Sequence, residues 1–206
     1  MSLATAYLQS LLENKDHVRT ERKELLTNIA DYVSNRVKAG EGVNLIFICT
    51  HNSRRSHLSQ LWAQVAADHY HIPGVRTFSG GTEATAFHPN AVSAIERAGF
   101  DITTKDTGDN PVYQVSFDPT GTIQEVWSKA YDSQDNPNAA FGAIMTCSSA
   151  DANCPVVLGS DIRVALTYND PKEGDGTPQE AELYDERCKE IALELFYCFS
   201  LVKGKT

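Results

Sequence analysis

The spacing of apolar residues changes period several times along this chain, and each change marks an element. Residues 1–42 carry helical spacing twice. In the second stretch Leu25, Ile29, Tyr32, Val33 and Val37 share one face, and Thr20 stands where a cap would. Glu21 suits the positive end of the helix dipole, and Gly40 and Gly42 end the pattern. Residues 44–49, Asn-Leu-Ile-Phe-Ile-Cys, form a continuous apolar run, which predicts a strand buried on both faces. Helical spacing returns over residues 55–69 through Leu58, Leu61, Trp62, Val65 and Ala66. Residues 75–79 read as a second strand. Residues 89–98 read as a second helix of this unit, with Pro89 in its first turn and Gly99 just past its end. Strand, helix, strand, helix is the signature of an α/β domain on a parallel sheet.

The alternation breaks at Asp109. Two strand-like runs, 112–117 and 122–130, flank Asp118-Pro119-Thr120-Gly121 and predict a β-hairpin. Residues 132–139 read as a loop. The α/β pattern resumes at 141–147 and 162–166, and a long final helix spans about 178–202, carrying Leu183, Ile191, Leu195 and Phe199. The organisation expected is a helical extension over 1–42 and an α/β domain over 43–206, with 109–137 as an inserted hairpin and loop. No internal repeat or low-complexity segment interrupts it.

Composition narrows the partners. A chain of 206 residues fits one domain with appendages. Its net charge of −9 disfavours a nucleic acid, which needs a basic face, yet a local cationic loop still permits an anionic substrate. No run of about 18 apolar residues predicts a membrane span, and the first residues lack the apolar core of a signal peptide, so a cytoplasmic location is expected. Five cysteines, an odd number in a reducing compartment, do not make a disulfide framework.

The candidate chemistry gathers where the first strand of the α/β unit ends. Cys49 is followed by Thr50, His51, Asn52, Ser53, Arg54, Arg55 and Ser56, a short polar loop entering a helix. Loop amides and the first helical N–H groups can converge there on one tetrahedral oxyanion, with the helix dipole behind them. Arg55 adds a bidentate donor, and the same positive field favours the nucleophilic thiolate of Cys49. Ser56 is placed to donate a hydrogen bond to that sulfur. A second pair, Cys147 and Cys154, brackets Ser-Ser-Ala-Asp-Ala-Asn. Cys147 ends a predicted strand, so it belongs at the same sheet edge as Cys49. The segment after it is of a kind that folds back or unwinds. Zinc is disfavoured because no second Cys/His pair accompanies these thiols. Cys188 and Cys198, on the final helix, read as core. Asp170, before Pro171, reads from its residue type as a turn residue or as an acid.

Ile-Cys-Thr-His-Asn-Ser-Arg-Arg-Ser over 48–56 resembles the active-site loop of low-molecular-weight protein tyrosine phosphatases and of the arsenate reductases that share their fold. Phe78-Ser79-Gly80-Gly81-Thr82-Glu83-Ala84, His88-Pro89-Asn90-Ala91-Val92 and Tyr168-Asn169-Asp170-Pro171 are similar to further family segments. The resemblance spans about 43–202, matches 109–137 poorly and leaves out 1–42. It implies a small doubly wound parallel sheet, Cys49 as nucleophile, Arg55 as anion ligand and Asp170 as general acid; no cofactor and no metal ligand is expected from these residues. The Cys147/Cys154 pair, with Asp151 and Pro155, resembles the redox segment of thioredoxin-coupled arsenate reductases. That implies reduction of arsenate through a Cys49 adduct and a Cys147–Cys154 disulfide, discharged by a thioredoxin-like reductant. The alternatives are a phosphatase acting on phosphotyrosine and a non-catalytic oxyanion-binding or redox-sensing regulator. Two positions depart from the family pattern: His51 stands where Gly is usual, and Arg54 where Cys is usual. The first predicts an altered loop backbone and the second extra charge at the mouth.

Overall fold

In the computed structural model, which describes residues 2–117 and 121–206, the chain opens with α1 (Leu3–Asn14) and α2 (Thr20–Lys38). It continues through β1 (Val43–Cys49), α3 (Arg55–His69), β2 (Val75–Gly81), α4 (Pro89–Arg97), β3 (Asp101–Thr104), β4 (Tyr113–Ser116) and β5 (Gln124–Val126). It ends with β6 (Phe141–Met145), α5 (Ser148–Asn153), β7 (Ser160–Ala165) and α6 (Glu180–Lys205), with short 3-10 turns at Lys15–His17 and Pro171–Gly174.

The apolar run 43–49 becomes the inner strand of a parallel sheet ordered β2-β1-β6-β7. Its alternate residues feed two clusters. Leu45 and Phe47 pack with α2, α3 and α6, while Ile46 and Ile48 pack with Phe141, Met145, Ala150 and Val157. The crossover through α3 therefore lies on one face and that through α5 on the other, as in a doubly wound sheet. The strand order reverses between β1 and β6, and the carboxyl ends flanking that reversal form the crevice where such sheets bind ligands. Cys49 ends β1 and Cys147 follows β6.

Four details differ from the pattern read in the sequence. Thr20 is the first helical residue of α2 rather than its cap; Arg19 precedes it with no side-chain cap bond. The buried residues of α2 are Arg22, Leu26, Ile29, Ala30, Val33 and Ser34, whereas Leu25, Tyr32 and Val37 are only partly buried. Two elements were not foreseen. β3 pairs antiparallel with β4, so the hairpin β4–β5 belongs to a separate three-stranded sheet, and α5 forms between the paired cysteines. Of the expected turn, Asp118, Pro119 and Thr120 lie outside the described residues. Leu11, Leu26, Ile29 and Val33 of the first two helices share one buried cluster with the sheet. Among the described residues no helix is long and apolar enough to cross a membrane.

Candidate active site

The loop after β1 is held from outside by its carbonyl groups. The Cys49 carbonyl accepts from Thr82 N–H (3.1 Å), that of Thr50 from Glu83 N–H (2.8 Å) and Thr82 Oγ1 (3.1 Å), and that of Ser53 from His88 N–H (2.9 Å). The His51 carbonyl accepts from Thr85 Oγ1 and Ser128 Oγ, each at 3.0 Å. With those carbonyls turned outward, the N–H groups of residues 51–56 donate to no described group. A concave array of free amides at a helix N-terminus is an anion cradle. Gly81 makes the close approach possible: a Cβ there would lie 2.1 Å from Glu83 O and 2.7 Å from both Asn52 N and Thr50 O.

The left-handed turn of the loop falls on Asn52 (φ 44°), a residue type that tolerates it, and not on His51. His51 therefore occupies the usual glycine position without the strain of a positive φ. The Asn52 side chain is buried and bonded at both ends. Its Oδ1 accepts from Lys129 N–H (2.8 Å), which aims Nδ2 at Ser56 Oγ (2.9 Å). Ser56 Oγ, 3.1 Å from Cys49 Sγ, thus takes one proton from Asn52 and has its own to give the sulfur.

Arg55 leaves the first turn of α3 and donates Nη1 to the Tyr168 carbonyl (2.9 Å) and Nη2 to Asp170 Oδ2 (2.6 Å). Its Nε is buried with no partner. An unsatisfied charged donor costs several kcal/mol unless a ligand answers it, and an oxyanion in the cradle would. Asp170 caps the turn Pro171–Gly174 through Oδ1, so its two oxygens serve the turn and Arg55 separately. Arg54, expected as charge at the mouth, is diverted. Its Nε donates to Tyr184 OH (2.7 Å) and its Nη2 to Asp175 (3.3 Å), while the Tyr184 hydroxyl also donates to Asp175 (2.8 Å). The side chain ties the loop to α6 and to the segment after Asp170, leaving only its amide for an anion.

Cys147 is 1% exposed, with its sulfur 3.4 Å from Oγ1 of Thr50, the first residue of the loop after Cys49. The same sulfur caps α5 by accepting Ala150 N–H at 3.3 Å. Cys154, partly exposed, closes the other end of α5. About seven residues of helical rise separate the two by ~10 Å, beyond the ~7 Å Cα separation a disulfide spans. Arg163 secures the far end, donating to the Asp151 carbonyl and carboxylate and, through Nε, to the Cys154 carbonyl (3.0 Å). All five cysteines are free thiols. Burial pushes Cys188 and Cys198 up to about 12, which suits their place in the core.

Sequence reasoning missed the contribution of the segments that flank the three-stranded sheet, around Asn110 before β4 and Ser128-Lys129 after β5. Ser128 Oγ holds the His51 carbonyl and accepts Thr85 N–H, Lys129 N–H holds Asn52, and the Asn110 side chain bonds Ser128 in both directions. No local signal marks these residues, whose partners lie 18 to 77 positions away. Lys129 itself is buried with its ammonium 4.1 Å from the Trp127 ring centre, and burial pushes its pKa down to about 8. His57, fully buried behind the loop, is pushed down to about 3 by burial and then by the Lys129 charge. No cluster of three metal-ligating side chains occurs among the described residues.

Fold and site together set a cysteine at the entry to a row of free loop amides on a parallel α/β sheet. The Vibrio cholerae O395 low molecular weight phosphotyrosine phosphatase shares the fold, with a TM-score of 0.50 and 12% identity over 76% of this chain and 94% of that one. In sequence, the arsenate reductase of Staphylococcus aureus (strain Newman) is 31% identical over 130 residues, 62% of this chain and 77% of the relative. That of Bacillus subtilis (strain 168) is 27% identical over 147 residues, 71% of this chain and 86% of the relative. No protein-family model matches the chain. The chain belongs to the family of these arsenate reductases, and it has the fold of the low molecular weight phosphotyrosine phosphatase.

Proposed function

We propose that the protein reduces arsenate to arsenite, with Cys49 as nucleophile, Arg55 and the amides of residues 50–56 as anion ligands, Asp170 as general acid, and Cys147 and Cys154 as the redox pair. The observation that carries the reading is the Cys147 sulfur beside the loop after Cys49, 3.4 Å from Thr50 Oγ1, with Cys154 held back at the far end of α5. A phosphatase needs neither thiol.

The Cys49 thiolate attacks arsenic, and an oxygen protonated from Asp170 leaves as water, giving a sulfur–arsenic(V) bond. The Cys147 thiolate then attacks Cys49 Sγ. That bond breaks with its electron pair moving to arsenic, so arsenic(III) departs as arsenite and a Cys49–Cys147 disulfide remains. The Cys154 thiolate attacks Cys147 Sγ, which frees Cys49 and leaves Cys147–Cys154. A thioredoxin-like dithiol supplies the two electrons that restore the pair. Val156 and Leu158, 69% and 84% exposed just beyond Cys154, offer that reductant apolar surface. Helices of fewer than ~12 residues are marginal by themselves. Engaging the Cys147 sulfur in a disulfide removes the cap of six-residue α5 and favours the unwinding that brings Cys154 in.

The deciding experiment assays arsenate reduction with a thioredoxin system beside hydrolysis of an aryl phosphate. Repeated arsenate reduction that requires both Cys147 and Cys154 supports the proposal. Aryl phosphate turnover with no arsenate reduction replaces it with a phosphatase, and turnover of neither leaves an oxyanion-binding regulator.

A further inference from the structure

We propose that Arg22, on α2 and outside the region resembling the family, is a positioning residue for the anion site, acting through residues 167–168. This rests on the anion-site reading above. Arg22 and Glu194 of α6 are 7% and 3% exposed and pair in a fork, Nε to Oε1 at 2.8 Å and Nη2 to Oε2 at 2.7 Å. The remaining arm, Nη1, donates to the Thr167 carbonyl at 3.0 Å, and the guanidinium lies 4.8 Å from the centre of the Tyr168 ring.

The segment it grips leads straight into the site. Tyr168 N–H donates to the Thr146 carbonyl (3.1 Å), beside Cys147, and the Tyr168 carbonyl accepts Arg55 Nη1 (2.9 Å). Asp170, two residues on, takes Arg55 Nη2. Residues 167–170 are therefore clamped by Arg22 at one end and by Arg55 at the other. The Tyr168 carbonyl, one residue beyond the carbonyl that Arg22 holds, takes Arg55 Nη1, while Arg55 Nε is left without a partner.

Stability alone gives a poor reason for a charge at this position. A buried ion pair is often no more stabilising than apolar residues of the same volume, and the neighbouring inward positions, Leu26, Ile29, Ala30 and Val33, are apolar. What the guanidinium adds is a third, directed bond to a backbone carbonyl, which a lysine gripping Glu194 does not supply.

The test uses the full chain with inorganic phosphate as probe. Arg22→Met with Glu194→Leu replaces the pair by apolar side chains, so melting without phosphate should stay within a few degrees of the parent. The phosphate Kd should rise about tenfold. Arg22→Lys keeps the charge opposite Glu194 and loses the Thr167 bond, so it should fold and raise the Kd about threefold; it decides the matter should the double variant not fold. A parent that binds phosphate beside folded variants with unchanged Kd overturns the positioning role alone. A parent that does not bind phosphate overturns the anion-site reading and this inference together.

Discussion

The two cysteine segments at the switch point are built in opposite ways. The loop 49–56 is fastened from every side, its carbonyl groups bonded to residues 82–88 and 128 and its inner asparagine bonded at both ends. The segment 147–154 is one short helix, capped by a sulfur at one end and gripped by a single arginine at the other. Binding a small tetrahedral anion rewards donors that do not move, because reorganisation is then paid in advance. Passing a disulfide along needs sulfurs that approach, so the second segment must give way.

Gly81→Ala breaks the rigid half. The added Cβ lies against backbone of both the loop and its support, with no flexible side chain to yield. Phosphate affinity should fall at least ~100-fold by calorimetry; a fall of less than threefold would mean that the loop is not as tightly fastened as its hydrogen bonds indicate.

Lys129→Met separates support from charge. The backbone of Lys129 serves the loop, whereas its buried ammonium is a cost. Because its folded pKa, about 8, lies below the unfolded value, the unfolded chain holds the extra proton between about pH 8 and 10.5, and parent stability rises across that window. The variant should be more stable by about 1–3 kcal/mol at pH 7. That gain should fade towards pH 10.5, with phosphate affinity unchanged, as denaturant melts at several pH values would reveal. A destabilised variant at pH 7 would show that the contact of the ammonium with the Trp127 ring outweighs the cost of its burial.

Arg163→Met sharpens the mobile half. Removing the grip on α5 should speed formation of the Cys147–Cys154 disulfide a few-fold under mild oxidant, measured by quenched alkylation, and leave phosphate Kd alone. An equal or slower rate would place the barrier elsewhere than in the end of this helix.

The sequence made some of this plain and concealed the rest for identifiable reasons. The run 43–49 is apolar on both faces and the stripe Leu58–Ala66 is strictly helical, so β1, α3 and the loop between them announce themselves. β3 is four residues long and mostly exposed, so it carries no alternation to read. α5 is six polar and small residues whose cap is a cysteine, a residue seldom read as a cap. The destination of Arg54 was hidden because Tyr184 lies 130 positions away, and the Arg22–Glu194 fork spans 172. Contacts at such separation leave no local periodicity, and they are the ones that turn a recognisable loop into a shaped site.

The most direct test of the central contrast is to treat Cys154→Ser with one equivalent of arsenate, without reductant, and map its peptides under non-reducing conditions. The account predicts one arsenite released per chain and a Cys49–Cys147 disulfide in near-stoichiometric amount, where the parent yields Cys147–Cys154. Repeated arsenate reduction by Cys154→Ser at the parent rate once a thioredoxin system is supplied, or arsenite release with no Cys49–Cys147 bond, would contradict it.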